Sequence, residues 1–94
     1  MQYRIEYDSL GEKEVPAEVY YGIQTMRAIE NFPITGIPIS EFPVLIKAIA
    51  SIKEAAAITN KELGLLDAKI CDAIVMASRD VKSGLLNQYF AVDV

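Results

Sequence analysis

A mainly α fold, opened by a short N-terminal β-hairpin or extended arm, is what three features of this 94-residue sequence predict. Two long segments, Ser40 to about Leu63 and Asp67 to about Ser83, repeat apolar residues at helical spacing. Each opens on a residue that caps helices, and Gly64 and Gly84 follow their ends. Ahead of them, Tyr3, Ile5 and Tyr7 alternate with Arg4 and Glu6 at the period of a strand. A short helix is expected after the arm, and the brief connection between the two long helices makes them an antiparallel pair.

The arm comes first. Asp8-Ser9-Leu10-Gly11-Glu12 has turn chemistry, with Gly11 free to take a positive φ. Lys13-Glu14-Val15 returns as a second short strand, which Pro16 ends. On this reading the tyrosines and Ile5 face inward. The charges are solvated edge residues that discourage further strand pairing.

Tyr20 to Phe32 is next. Ile23, Met26 and Ile29 share one helical face, and Gln24, Arg27 and Glu30 another. Pro33 closes the helix by pushing its preceding residue out of the helical region. Gly22 reads as lying inside it, at a propensity cost of about 1 kcal/mol relative to alanine, and marks a close approach of other backbone. Pro33 to Ile39 is a connector whose two prolines and one glycine exclude helix. Its isoleucines are expected to tack it to the core.

Ser40 is the expected N-cap of the long helix, with Pro43 in the first turn, where a missing N–H costs little. Phe42, Leu45, Ile49, Ile52 and Ala56 trace a stripe that Ile46, Ala48, Ala50, Ala55, Ala57 and Ile58 widen well beyond one face, as expected of a helix central in its protein, and Ala55-Ala56-Ala57 lets a neighbour approach closely. Asp67 caps the following helix. Its stripe is Ile70, Ile74, Ala77 and Val81, with Cys71, Val75 and Ser78 alongside. Lys69, Asp72, Arg79, Asp80 and Lys82 are expected to face water, and Cys71 to be a small buried hydrophobe. Leu85 to Tyr89 can form one further turn of helix, and Phe90 to Val94 is extended.

Composition narrows the function. The length allows one domain at most, read as 1–38 (arm, short helix, connector) and 39–94 (helical part). A hydrophobic content of 52% is high for so short a chain and implies apolar surface meant to be covered. The net charge is −4 with both signs dispersed, so no basic stripe suits nucleic acid. No apolar run reaches the roughly 18 residues of a membrane span, and charges at Arg4, Glu6 and Asp8 are unlike an export signal. One cysteine excludes an internal disulfide and fits a cytoplasmic setting. There is no histidine, no cysteine pair, no phosphate loop and no nucleophile elbow. The acid–base groups of any chemistry served by this chain are therefore expected elsewhere.

Tyr20-Tyr21-Gly22-Ile23-Gln24-Thr25-Met26-Arg27-Ala28-Ile29-Glu30-Asn31-Phe32 resembles the N-terminal motif of the aspartase/fumarase superfamily, in the form carried by aspartate ammonia-lyases. The resemblance continues in Arg4-Ile5-Glu6 with Asp8, in Leu10 to Pro16, in Lys53 with Ala55 to Ala57, in Asn60 to Leu66, and in Phe90 with Val92-Asp93-Val94. Class II fumarase resembles the chain through Gly22, Gln24-Thr25 and Arg27 but usually has tryptophan before the glycine. Gln24 and Gln88 depart from the usual aspartase pattern.

The resemblance implies the N-terminal domain of a longer, cytoplasmic, homotetrameric lyase that converts L-aspartate to fumarate and ammonia and is inactive as an isolated fragment. No cofactor is expected, since proton abstraction with an amine leaving group needs none in principle, and no metal-ligand residue is assigned in this chain. The serine base, the lysine and asparagine after it, and the substrate-gripping threonine, serine and histidine groups lie downstream in the family, so no catalytic residue falls here. Phe90 to Val94 resembles the lead into a glycine-rich, substrate-binding stretch. Arg27 is the family-matching cation and a candidate substrate-binding residue, with Thr25 beside it. A planar guanidinium suits a carboxylate. The competing role is an ion pair with an acid such as Glu30 or a downstream partner. Lys13 is a lesser candidate of the same kind. A function of another class, a helical protein-interaction module, fits the composition alone.

Overall fold

The computed structural model describes all residues, Met1–Val94. They form two compact units, Met1–Ile39 with Tyr89–Val94, and Ser40–Gln88.

The first unit opens with β1 (Tyr3–Asp8) and β2 (Gly11–Pro16), paired antiparallel from Tyr3↔Pro16 to Asp8↔Gly11. Gly11 turns the corner at φ +115°, and the Asp8 side chain accepts the Leu10 N–H at 3.0 Å. The hairpin forms where expected, but its faces are inverted. Tyr3, Ile5 and Tyr7 are exposed, while Arg4, Glu6 and Asp8 turn inward. The reason is polar. Arg4 donates from Nη1 to the carbonyls of Pro16 (2.8 Å), Ala17 (3.1 Å) and Val19 (2.9 Å), and from Nη2 to that of Tyr21. Its Nε donates to Glu6 at 2.6 Å. One guanidinium thus gathers four carbonyls from the end of β2 and the loop after it, groups that need a donor wherever they are shielded from water. Only Val15, on the same hairpin, is fully buried.

The helix α1 spans Ile23–Asn31. Gly22 is its N-cap, in extended backbone, and not an interior residue. The propensity cost expected of it therefore does not arise. A side chain, not backbone, crowds it: a Cβ on Gly22 would sit 3.0 Å from Glu6 Oε1. That same oxygen accepts the Ile23 N–H at 2.9 Å, so a strand residue caps the helix. Ile23 is buried, with Met26 and Ile29 half-buried, as the periodicity requires.

Of the connector's isoleucines only Ile39 is half-buried, while Ile34 and Ile37 are exposed, so apolar packing alone does not hold it down. Asp93 adds a polar hold through Thr35 and Gly36. The extended end pairs back on it through an isolated Pro38↔Asp93 bridge, flanked by Ile39 N–H to Val92 O (2.9 Å) and Val94 N–H to Ile37 O (2.8 Å). Tyr20 and Tyr89 meet edge to face with ring centroids 4.9 Å apart.

The second unit is the helix pair α2 (Pro43–Glu62) and α3 (Ala68–Lys82). Ser40 does not cap α2. It lies in a 3-10 turn, Ile39–Glu41, and Phe42 holds the N-cap position without a side-chain hydrogen bond. Gly64 (φ +76°) ends α2 in a Schellman arrangement: Leu65 N–H bonds Asn60 O (2.8 Å) and Gly64 N–H bonds Lys61 O (3.0 Å). Asp67 caps α3 by accepting the Lys69 N–H at 3.0 Å.

The buried line of α2 is Ile46, Ala50 and Ala57, and that of α3 is Cys71 and Ser78. Of the broad apolar surface expected of α2, the side of Ile46, Ala50 and Ala57 is the buried one, while the line of Ile49 (40%) and Ile52 (67%) is exposed. Small residues at 50, 57, 71 and 78 explain the choice, because they let the two helices approach closely. Cys71 Sγ reaches Ala57 O at 3.4 Å. Glu54 binds Arg79 (3.2 Å) and Lys82, so Lys82 is half-buried rather than solvated. Contacts 57–71 and 54–82 fix the antiparallel register.

Candidate functional site

The charges on the inner face of β1 and those of α1 build one polar cluster. Strand period puts Arg4, Glu6 and Asp8 on the same side, and α1 lays Arg27 across the end of that row. Arg27 donates Nε to Asp8 Oδ2 (2.8 Å) and Nη2 to Asp8 Oδ1 (3.1 Å), with a longer bond from Nη2 to Gly11 O (3.4 Å). This is the bidentate fork of a guanidinium on a carboxylate. The Arg27 bond is the main cause that holds the Asp8 carboxyl below its ordinary range, aided by the Leu10 N–H and opposed by burial. Glu6 is likewise lowered, first by the Arg4 bond and then by the Ile23 N–H.

Arg27 therefore has an acid partner, and it is Asp8 rather than Glu30. Glu30 pairs with Lys13 at 2.8 Å, so Lys13 is not the solvated hairpin charge expected. Thr25 is half-buried and stands two residues from Arg27, which is about 200° around the helix. The two candidate residues do not converge. Arg27 instead shares its face with Gln24, Ala28 and Asn31, which with Asp8 and Leu10 line an open depression of ≈ 320 Å³. No cluster of three His, Cys, Asp or Glu residues has metal-binding spacing.

A second polar device was not legible beforehand. The Asp93 carboxylate accepts Thr35 N–H (2.8 Å), Thr35 Oγ1–H (2.7 Å) and Gly36 N–H (2.7 Å). The Thr35 hydroxyl bond is the main cause of its lowered pKa. Nothing local in the sequence announces a bond across 58 positions. The Asp8–Arg27 pair did leave a signal, since charges at 4, 6 and 8 share one strand face.

With this geometry in hand, comparison with known proteins is decisive. Over 90 residues, 96% of its length, the chain is 52% identical to an aspartate ammonia-lyase from a Bacillus species. It is 50% identical over 92 residues to a class II fumarate hydratase from Halobacterium salinarum. Its fold superposes on a fumarate lyase:delta crystallin from Brucella melitensis with a TM-score of 0.89 at 43% identity, covering 98% of this chain and 20% of that one. The chain matches the N-terminal region of the aspartase/fumarase superfamily. A class II fumarase from Schistosoma mansoni superposes with a TM-score of 0.81 at 40% identity. No family model matches the sequence. The chain spans about a fifth of the length of the curated relatives it matches, 19% in both sequences named here. The superfamily likeness thus embraces hairpin, α1 and helix pair together, and ammonia-lyase and hydratase stand two percentage points apart.

Proposed function

We propose that this chain is the N-terminal segment of an ammonia-lyase that converts L-aspartate to fumarate and ammonia. The single observation that carries the reading is identity of about half along essentially the whole chain to an aspartate ammonia-lyase. On this reading a base abstracts a proton from the carbon beside the β-carboxylate, the aci-carboxylate gathers negative charge, and ammonia leaves. Preorganised donors and cations are needed where that charge develops. The base and most of those donors belong to residues after Val94, including the stretch that Phe90–Val94 leads into. The segment by itself is inactive, and the complete protein is a cytoplasmic homotetramer that needs no cofactor.

Within the segment, Arg27 is the proposed substrate-side cation. Asp8 holds its Nε and Nη2, which orients the group on the wall of the depression. Thr25, on another side of α1, would serve a different surface from Arg27. The second reading, a class II fumarase, is favoured by the 50% identity to the Halobacterium hydratase.

The test is fumarate formation by the complete polypeptide from L-aspartate and, separately, from L-malate. Turnover of aspartate in large excess over malate is expected. The reverse preference selects the fumarase, and loss of both activities in folded protein refutes the lyase reading. Arg27→Ala in the same protein is expected to raise KM for aspartate, and an unchanged KM and kcat would retire its substrate role.

A further inference from the structure

The outer edge of β1 is unpaired, and its pattern is complementary to itself. Ala17 N–H bonds Gln2 O at 3.0 Å, so Gln2 and Ala17 are a hydrogen-bonded pair. Every second pair after it, Arg4↔Val15, Glu6↔Lys13 and Asp8↔Gly11, is of the same kind. The N–H and C=O groups of Tyr3, Ile5 and Tyr7 therefore point away from β2, and no hydrogen bond of the chain reaches them. The outer edge of β2 is different. Its outward groups belong to Glu12, Glu14 and Pro16, and proline has no N–H to offer. Charged side chains commonly guard an open edge. On β1 they lie on the inner face and are engaged within the chain, Arg4 with Glu6 and Asp8 with Arg27. The outer face of the strand carries Tyr3, Ile5 and Tyr7, which are exposed.

Register selects what fits this edge. Consider a second β1 laid antiparallel against it. Centred on Arg4, the pairing sets Arg4 opposite Arg4 of the second copy. Centred on Glu6, it sets Glu6 opposite Glu6. Like charges directly opposite are destabilising. Centred on Ile5, it sets Arg4 opposite Glu6, Tyr3 opposite Tyr7 and Ile5 opposite Ile5, with opposite charges and aromatic pairs that favour pairing. In that register every free N–H and C=O of Tyr3, Ile5 and Tyr7 meets a partner. On the inner face Lys13 and Glu6 of one copy are then followed by Arg4 of the other, so the signs alternate. Glu12 and Glu14 stay on the two outermost strands, apart from their counterparts.

We propose that β1 is a self-association edge: a second copy of this chain adds its own β1 antiparallel, in the register centred on Ile5, to give a sheet of order β2-β1-β1-β2 about a two-fold axis. The contact is isologous and closes on itself. Such pairing is independent of the reaction that the complete protein catalyses. A single strand edge is small against the roughly 1,200 Å² at which stable interfaces begin, so weak association is expected.

The experiment is sedimentation equilibrium of the 94-residue chain at concentrations up to about 1 mM, with far-ultraviolet circular dichroism as the control for folding. The wild type is expected to dimerise. Ile5→Pro removes an outward N–H and no bond of the β1–β2 ladder, and should raise the dimer dissociation constant at least about tenfold. Ile5→Lys and Ile5→Glu each set like charges at the axis and should be monomeric alone. Mixed, they should recover a one-to-one dimer, which only a register centred on residue 5 provides. A wild type that stays monomeric overturns the inference. So does a dimer that Ile5→Pro and Ile5→Lys leave intact, since its interface then lies elsewhere. If Ile5→Pro does not fold, the Lys and Glu variants decide alone, and no recovery on mixing overturns the assigned register.

Discussion

Asp8 and Arg27 form a bidentate ion pair, with Nε to Oδ2 at 2.8 Å and Nη2 to Oδ1 at 3.1 Å, that ties the end of β1 to the middle of α1. Lysine cannot reproduce this fork, since it offers a point charge on a flexible stem. Arg27→Lys is therefore expected to lower the thermal midpoint of the chain nearly as much as Arg27→Ala. Asp8→Asn should do the same, and the Asp8→Asn, Arg27→Ala double variant should lose less than the sum of the two. Strict additivity in thermal or urea melts would show that the pair is uncoupled.

The buried line of α2 makes a sharp contrast with its exposed stripe. Ile46 is 1% exposed and Ile52 67%. Ile46→Ala should cost about 2–4 kcal/mol by leaving a cavity where a fully buried side chain stood. Ile52→Ala in this chain should stay within about 0.5 kcal/mol. Urea unfolding followed by circular dichroism checks both, and equal costs would contradict the assigned face.

Helix capping gives a second contrast. Asp67→Ala removes the acceptor for Lys69 N–H and should cost about 1 kcal/mol, most of it recovered by Asp67→Asn. Ser40→Ala removes no cap and should leave the urea midpoint in place, because the N-cap position of α2 belongs to Phe42. A loss at Ser40 as large as that at Asp67 would restore Ser40 as the cap.

Acid should weaken the fold in a defined direction. The carboxyls of Glu6, Asp8, Glu54 and Asp93 are all held below their ordinary values, chiefly by hydrogen bonds from Arg4, Arg27, Lys82 and Thr35 respectively. Unfolded, they titrate at about 3.9 to 4.3. Between the folded and unfolded values the unfolded state binds more protons, so stability rises with pH there. It is fully present above the unfolded values and is lost as pH falls through the folded ones. The urea midpoint is expected to be level from about pH 6 to 8 and to fall below about pH 4. No histidine adds a slope near neutrality. A midpoint that rises on acidification would exclude this account. Because these groups lie near the surface, high salt should flatten the fall.

Local chemistry was enough for the chain's punctuation. Gly11, Gly64 and Gly84 take positive φ where a turn or helix end was expected, Asp67 caps α3, and strand and helix periods place β1, β2, α1, α2 and α3 close to where they form. Such features depend on residues within four or five positions of one another, so the sequence alone determined them. The resemblance to the superfamily was legible in the same way, as contiguous motifs.

Which face of each element turns inward was decided only by the tertiary structure. A period of two identifies two sides of β1 without ranking them. Arg4 turned the charged side inward because the carbonyls that needed its donors lie 12 to 17 residues away. A period of 3.6 gave α2 several apolar lines, and the line of small residues won because it lets Cys71 approach Ala57. Asp93 found Thr35 across 58 positions. In each case the deciding partner is distant in sequence, and a polar group's burial is favourable only once that partner is in place.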